Sequence, residues 1–241
     1  VRKEARMRLF AIGDLHLPGG EEKPMDIFGA HWENHFDRIC ADWCARVNEE
    51  DVVLIPGDIS WAMQLRAALP DLAAIGALPG RKLMIKGNHD YWWSAIGQVR
   101  ANLPVGMQAL QHDAVETEQA VICGTRGWLL PTGDAGFSEE DRKIANRELM
   151  RLEMSLKAAV ALKADKPLVV MTHFPPLLDM MRDTEVTALL ERYPVHTVAY
   201  GHLHGAGIRA GFNGMHHGIR YCLTSCDALD FRLAELPLTE A

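Results

Sequence analysis

The segment LFAIGDLH, residues 9–16, sets the pattern that decides the fold of this 241-residue chain. Its apolar run, Leu9–Ile12, predicts a short buried strand, and the Gly13-Asp14 pair directly after it predicts a loop. The same succession of an apolar strand and a small polar cluster recurs along the sequence. The further clusters are GD at 57–58, GNHD at 87–90, TH at 172–173 and GHLH at 201–204.

Helical segments lie between these strands. Apolar residues at helical spacing predict helices over 31–48, 62–75 (interrupted by Pro70), 92–102 and 184–192, and Ser138 with Asp141 predicts the start of a longer one reaching about Lys163. Alternating strands and helices favour a largely parallel sheet with helices on both faces. Ligands bind outside the carboxyl ends of the strands in such sheets, so the polar clusters are expected to converge on one site.

The middle and the end of the chain follow a different pattern. Strands predicted over 108–110 and 120–123 are joined by a polar connection, which indicates antiparallel or mixed pairing, and closing strands are predicted over 220–224 and 231–235. Residues 128–147 begin with a Gly/Pro-rich loop and are long enough to form a lid or a dimer contact. The sequence favours neither role and points to no particular oligomeric state.

Composition predicts a single globular domain over residues 1–241, with 1–6 as a disordered, dispensable extension before a functional start at Met7. Apolar residues make up 48% and charged residues 24% of the chain, as in ordinary soluble proteins. The net charge of −7, without a Lys/Arg block, gives no clear nucleic-acid surface. No apolar run approaches the roughly 18 residues of a membrane span, and no signal peptide is evident. We therefore expect a cytoplasmic protein without a membrane partner.

The five cysteines give a choice between free thiols and a structural zinc site. Cys40 and Cys44 share a four-residue spacing with Cys222 and Cys226, but the number is odd and no CxxC motif occurs. Free thiols in a reducing compartment are the favoured interpretation. A structural zinc site would be a closed, cysteine-rich tetrahedron, whereas the polar clusters contain mostly His and Asp.

The polar clusters contain side chains that bind metal ions. Their potential ligands are Asp14, His16, Asp58, Asn88, His173, His202 and His204. A mixed oxygen and nitrogen set without sulfur suits Mn, Fe, Zn, Ni or Co, as divalent or trivalent ions. Two cations need a shared anionic ligand, which a carboxylate such as Asp58 can supply. A metal pair about 3.5–4 Å apart activates a bridging water and neutralises phosphoryl oxygens, which indicates phosphate-ester hydrolysis.

Other residues next to the clusters are candidates for catalysis and substrate binding. His89 follows Asn88 directly and is predicted to act as a general acid or as a donor to a phosphoryl oxygen. Asp90 is predicted to orient the His89 imidazole. Arg126 is predicted to bind a phosphate oxygen, with a purely structural arginine as the alternative of equal weight. Trp61, Tyr91, Trp92 and Trp93 would form either an aromatic wall for a substrate ring or core packing under the site.

The order of these motifs resembles the calcineurin-like metallophosphoesterase superfamily from about residue 8 to 205. The matching motifs are Asp14-x-His16, Gly57-Asp58, Gly87-Asn88-His89-Asp90, His173 and Gly201-His202-x-His204. The resemblance implies a four-layer α/β/β/α sandwich with two mixed β-sheets. It also implies a ligand partition: Asp14, His16, Asp58 and His204 at one metal, and Asp58, Asn88, His173 and His202 at the other. Asp58 would bridge the metals, and His89 would match the family's catalytic histidine.

The residues and the resemblance together predict a dinuclear phosphohydrolase in which a metal-bound hydroxide attacks phosphorus in line. The chain lacks the Asp-Arg-Gly of the protein Ser/Thr phosphatases and looks like the small bacterial-type phosphohydrolases, whose substrates the resemblance leaves open. We expect a small phosphorylated substrate. A phosphodiester is mildly favoured over a phosphomonoester, because His89 can protonate a poor alkoxide leaving group. The alternative is a non-catalytic scaffold of the same fold, which would be expected to have lost part of this residue set.

Overall fold

The computed structural model describes residues 6–20, 25, 29–132, 137–162 and 165–238, which contain two β-sheets. Apart from Arg6, the predicted N-terminal extension lies outside these residues. The first sheet contains β1 (Leu9–Ala11), β2 (Val52–Ile55), β3 (Arg81–Met84), β4 (Met107–Ala109) and β11 (Ala234–Leu236), in the order β11-β1-β2-β3-β4. The second contains β5 (Ala114–Glu116), β6 (Val121–Thr125), β7 (Leu168–Thr172), β8 (Val195–Tyr200), β9 (Gly214–His216) and β10 (Ile219–Leu223), in the order β5-β6-β7-β8-β10-β9.

Both sheets are mixed, with a parallel centre and antiparallel edge strands. β1 to β4 run parallel, and β11 pairs antiparallel with β1. In the second sheet β6, β7, β8 and β10 run parallel, while β5 and β9 are the antiparallel edges. The alternation of strands and helices predicts a largely parallel sheet with helices on both faces. The parallel pairing is confirmed, but the strands form two sheets that pack on each other, so each sheet has helices on one face only. The two mixed sheets implied by the family resemblance are confirmed.

The strands are apolar on both faces because each sheet is covered on one face by helices and on the other by the second sheet. In β1, Leu9 and Ala11 belong to a core shared with Val169 and Met171 of the second sheet. Phe10, between them, belongs instead to the core formed with the helices. Successive side chains of a strand point to opposite faces, so this alternation places each sheet between its partner sheet and a helical layer. The result is four layers in the order α/β/β/α.

The helices form the two outer layers. They are α1 (His35–Arg46), α2 (Leu65–Gly76), α3 (Ile96–Ala101), α4 (Glu139–Leu162) and α5 (Glu185–Leu190), with short 3-10 helices at Ala30–Trp32 and Gly205–Ala210. Residues of α1, α2 and α3 pack on the first sheet, and residues of α4 and α5 on the second. Among the described helices, none combines the length and the apolar character that crossing a membrane requires.

Three local expectations are corrected. Pro70 does not interrupt α2: it lies on the exposed face, so the i→i−4 hydrogen bond to Arg66 that proline cannot form is lost on the solvent side. α3 begins at Ile96 rather than at Trp92. The strands predicted over 108–110 and 120–123 do not pair with each other, because β4 and β6 belong to different sheets and β5, missed in the sequence, pairs with β6.

The segment 128–147 contributes the start of α4, and its residues 133–136 lie outside the described part of the chain. The predicted helix start is confirmed by a reciprocal pair: the Asp141 N–H donates to Ser138 Oγ (3.1 Å), and the Ser138 N–H donates to Asp141 Oδ2 (2.9 Å). Trp128 Nε1 donates to Asp141 Oδ1 (3.0 Å), which ties the preceding loop to the helix. The lid and the dimer contact stay predictions.

Candidate metal centre

The five polar clusters lie together at the carboxyl edge of the two facing sheets. The first sheet supplies Asp14 and His16 after β1, Asp58 after β2 and Asn88 after β3, and the second supplies His173 after β7 and His202 and His204 after β8. Parallel strands end at a common edge, so residues distant in sequence become neighbours there. The structure brings all seven predicted ligands into contact in two adjoining groups.

The first group contains Asp14, His16 and His204. The Nε2 atoms of His16 and His204 are 3.2 Å apart, and His204 Nε2 is 3.3 Å from Asp14 Oδ1. Asp58 Oδ2 is 3.8 Å from His16 Nε2. Two imidazole nitrogens and a carboxylate oxygen therefore face a common point, as the ligands of one cation would.

The second group is centred on the amide oxygen of Asn88. This oxygen is 2.6 Å from His173 Nε2 and 2.8 Å from His202 Nδ1. Asp58 Oδ2 is 3.5 Å from His173 Nε2. The same oxygen of Asp58 thus lies between the two groups, at the position that a carboxylate shared by two cations would occupy.

The backbone of this centre is held in an uncommon conformation. Four of the predicted ligands have positive φ angles: Asp14 (59°), His16 (46°), Asp58 (51°) and His202 (74°). Such angles cost roughly 1–3 kcal/mol each outside glycine and cluster at functional sites. Two glycines allow the close approach of the loops: a Cβ on Gly87 would lie 2.1 Å from Asp58 Oδ1, and one on Gly201 2.3 Å from Asp14 Oδ2.

The buried carboxylates fit a bound cation. Burial, together with the charges of Asp90 and Asp14, raises the pKa of Asp58 to about 9. Burial also opposes ionisation of Asp14, but the hydrogen bond and charge of His204 outweigh it and hold the pKa of Asp14 well below its usual range. A charged Asp58 is therefore unfavourable beside Asp14 unless a positive ion compensates it.

Three of the four histidines also fit a bound cation. Burial lowers the pKa of His173 to about 3 and that of His202 to about 4, and it lowers the pKa of His16 well below the usual value. These imidazoles are therefore neutral near pH 7, which is the form that binds metals. In His173, Nδ1–H donates to the Pro56 carbonyl (3.0 Å), so the lone pair of Nε2 points into the centre.

A sequence model of the calcineurin-like phosphoesterases matches residues 7–206 of the chain. The chain belongs to this family. It is accordingly a metal-dependent hydrolase of phosphate esters, which confirms the predicted class of enzyme. The metals of its centre are not identified by this membership.

Solved structures share the fold of this phosphoesterase at low sequence identity. The phosphopantetheinyl hydrolase of Mycobacterium tuberculosis is 17% identical, with a TM-score of 0.55 over 96% of each chain. A protein of unknown function from Aquifex aeolicus is 15% identical, with a TM-score of 0.52 over 95% of this chain and 96% of the other. A search of curated proteins gave no significant match. These likenesses establish the fold alone.

Asp227 is a part of the phosphoesterase centre that the sequence interpretation missed. Its side chain is buried, and Oδ1 accepts a hydrogen bond from His204 Nδ1 (2.8 Å) while Oδ2 accepts one from the Gly205 N–H (2.9 Å). The contact fixes the proton on Nδ1 and turns Nε2 toward the first group. The available signal was its position: Asp227 ends a polar run after β10, as the other clusters follow their strands.

Replacing Asp227 with alanine should weaken metal binding by about 10–100-fold, because His204 loses the partner that orients its ring. Calorimetric titration of metal into the chelator-stripped protein measures this change. Asp179→Ala is the matched control, since the Asp179 carboxylate is half exposed and contacts Arg182 on the surface. Equal metal affinity for Asp227→Ala and Asp179→Ala would contradict the orienting role.

His89 lies beside the ligands without joining either group. Its backbone N–H donates to Asp58 Oδ1 (2.8 Å), and its ring centre is 5.8 Å from that of His16 and 4.4 Å from that of Trp61. Its Nδ1 is buried and has no hydrogen-bond partner among the described residues. Burial lowers the pKa of His89. His89 thus lies beside the candidate metal ligands, where a residue that donates to a substrate oxygen is expected.

Asp90 has a different role from the predicted orientation of His89. Its carboxylate is fully buried and is occupied by donors of the surrounding loops. These donors are the N–H groups of Ile59 (2.8 Å), Ser60 (3.2 Å) and Gly87 (2.7 Å) and the indole Nε1 of Trp92 (2.9 Å). Asp90 therefore joins the loop after β2 to the loop after β3, which fixes the positions of Asp58 and Asn88 relative to each other.

Arg126 adjoins the second group through its backbone. Its carbonyl accepts hydrogen bonds from the N–H groups of His173 (3.0 Å) and Phe174 (2.9 Å). Its guanidinium lies over the Trp128 ring, 4.7 Å from the ring centre, and 3.7 Å from Glu148 Oε1. The predicted contact with a phosphate oxygen stays a prediction.

An aromatic cleft opens beside the first group. Trp61 stacks on His16, with ring centres 4.8 Å apart and an interplanar angle of 21°. Trp32, which the sequence interpretation did not single out, lines the same cleft with His89 and His204. Of the aromatic residues predicted as a wall or as core, Trp61 lines the cleft, Trp92 and Trp93 are buried core, and Tyr91 is exposed.

Proposed function

We propose that this phosphoesterase uses two metal ions and that Asp58 bridges them. The single observation that carries the proposal is the position of Asp58 Oδ2, which is 3.8 Å from His16 Nε2 and 3.5 Å from His173 Nε2. A carboxylate oxygen within reach of both donor groups lowers the repulsion between two cations. The oxygen and nitrogen donors favour Mn, Fe, Zn, Ni or Co. When bound, such ions activate water and neutralise phosphoryl oxygens.

The chain's own residues supply the remaining requirements of hydrolysis. His89 donates a proton to the leaving alkoxide or a hydrogen bond to a phosphoryl oxygen. Asp227 holds the ring of His204, and the Pro56 carbonyl holds that of His173. The pre-set loops around Asp14 and Asp58 keep the donors in place without reorganisation during the reaction.

We propose a phosphodiester as the substrate, in preference to a phosphomonoester. The cleft lined by Trp32, Trp61 and His89 can hold an apolar or aromatic group next to the first donor group. His89 would then protonate a poor alkoxide leaving group on that side. One protein of similar fold is a phosphopantetheinyl hydrolase, which supports an organic phosphate ester as the substrate class.

A metal-reconstitution screen tests this proposal. The protein is stripped with EDTA, reloaded separately with Mn²⁺, Fe²⁺, Zn²⁺, Ni²⁺ or Co²⁺, and assayed with bis-p-nitrophenyl phosphate and p-nitrophenyl phosphate. We expect no activity after stripping, recovery with two ions per chain, and a higher kcat/KM for the diester. Full recovery with one ion per chain would contradict the bridging role of Asp58, and a preference for the monoester would contradict the proposed substrate.

A further inference from the structure

A second cavity lies beside the metal centre, at the ends of β3 and β6 and against α4. Four of its lining residues are cationic, namely Lys86, Arg126, Arg147 and Arg151, and its one carboxylate is that of Glu148. The chain as a whole carries a net charge of −7. Such a concentration of positive charge in one cavity of an acidic protein indicates an anionic ligand.

Glu148 pairs with two of these cationic side chains, and the charges of the other two have no carboxylate partner in the cavity. It is buried, and its Oε1 is 2.7 Å from Arg151 Nη1 and 3.7 Å from Arg126 Nη2, while Oε2 accepts a hydrogen bond from Thr125 Oγ1 (2.8 Å). Within the described part of the chain, Lys86 and Arg147 form no ion pair. One carboxylate thus faces four cations, and an anion in the cavity would offset their mutual repulsion.

The cavity adjoins the second donor group of the metal centre. Lys86 comes two residues before Asn88, and the Arg126 carbonyl is hydrogen bonded to the N–H of His173. The aromatic cleft, in contrast, lies against His16 and His204 of the first group. A molecule bound at the metals therefore has an aromatic surface near one donor group and a cationic cavity near the other.

We infer that this cavity binds a second phosphate group of the substrate, separate from the phosphoryl group that is hydrolysed. Arginine presents a planar fork of donors that matches phosphate oxygens, and the cavity offers three arginines and a lysine. The inference rests on the proposed function and narrows its substrate class to organic esters with two phosphate groups. A nucleoside bisphosphate, with its ring in the aromatic cleft, would be the product when a diester of this class is hydrolysed.

Binding of two matched nucleotides tests the inference. Calorimetry on the metal-reconstituted protein gives the Kd of adenosine 3′,5′-bisphosphate and of adenosine 5′-monophosphate. We expect the bisphosphate to bind at least about tenfold more tightly, which is the effect of one or more added charge-assisted hydrogen bonds. Arg151→Gln and Arg147→Gln should each reduce that ratio. Arg147 is exposed on α4, so its replacement tests the cavity even if Arg151→Gln, which frees the buried Glu148, fails to fold.

The control variant is Arg192→Gln, because Arg192 is exposed and pairs with Glu153 outside the cavity. It should leave the ratio of the two Kd values unchanged. Equal Kd values for the two nucleotides, or a ratio that Arg147→Gln leaves unchanged, would overturn the inference. Turnover of bis-p-nitrophenyl phosphate is measured in parallel. An active enzyme that binds the two nucleotides equally would contradict only the inferred phosphate binding in the cavity. An inactive protein that still binds the bisphosphate more tightly would contradict only the proposed function.

Discussion

Asp58→Asn is expected to reduce kcat/KM by at least about 10³-fold, because the proposed bridging carboxylate would contribute to both metal sites and metal catalysis is worth several kcal/mol. The change is nearly isosteric. Asparagine tolerates the left-handed backbone at this position (φ 51°), and its amide oxygen can still accept the His89 N–H. Metal content by mass spectrometry should fall below two ions per chain.

Folding controls separate this loss from a damaged protein. Burial, with the charges of Asp90 and Asp14, raises the pKa of Asp58 to about 9. The metal-free fold must therefore keep this carboxyl protonated, and it loses stability progressively as pH rises from the unfolded pKa of about 4 toward 9. The metal-free Asp58→Asn protein should therefore melt no lower than the metal-free wild type at pH 7. Asp179→Asn, on the surface, should leave activity and metal content intact. Normal metal content in Asp58→Asn would refute the bridge.

His89→Ala is expected to lower kcat by about 10²–10⁴-fold and to leave metal content unchanged. The ring is beside both donor groups but contributes no atom to either, and its Nδ1 has no hydrogen-bond partner among the described residues. The loss should be greater for aryl phosphodiesters whose leaving groups are poorer than p-nitrophenolate, since these depend most on a donated proton. Steady-state kinetics across a series of aryl diesters measures this dependence.

The control for His89→Ala is His217→Ala. His217 is exposed and pairs with Glu191 just before β10, at the edge of the second sheet opposite the metal centre. Its replacement should leave kcat unchanged. If His89→Ala retained the wild-type rate, or if it lost metal, His89 would not be the proton donor.

The strands that end in polar clusters could be predicted because their signal is local. A short apolar run followed by Gly13-Asp14 or by Gly57-Asp58 indicates the strand, the turn and a candidate metal-binding side chain together. The carboxyl ends of parallel strands meet, so these clusters could be expected at one site without knowing the complete topology. The seven donors lie where that argument expects them.

The features that could not be predicted depend on contacts between distant segments. The hydrogen-bond partners of Asp90 and Asp227 are such features: Asp90 binds donors from the loop after β2, and Asp227 meets His204 only after β10 has paired with β8. The assignment of β4 and β6 to different sheets is likewise a matter of long-range pairing. The cationic cavity is formed by Lys86, Arg126 and α4. These segments are far apart in the sequence, and no spacing pattern indicates that they meet.

The proposed metal ligands come from both sheets, and this division has a consequence for heat resistance. Asp14, Asp58 and Asn88 extend from one layer, and His173, His202 and His204 from the other. A cation bound by ligands from both layers would link the layers at one edge, and these ligands come together only in the folded chain. By mass action, each such ion shifts the folding equilibrium toward the native state. The supply of metal in the surroundings would thus govern the lifetime of the enzyme as well as its turnover.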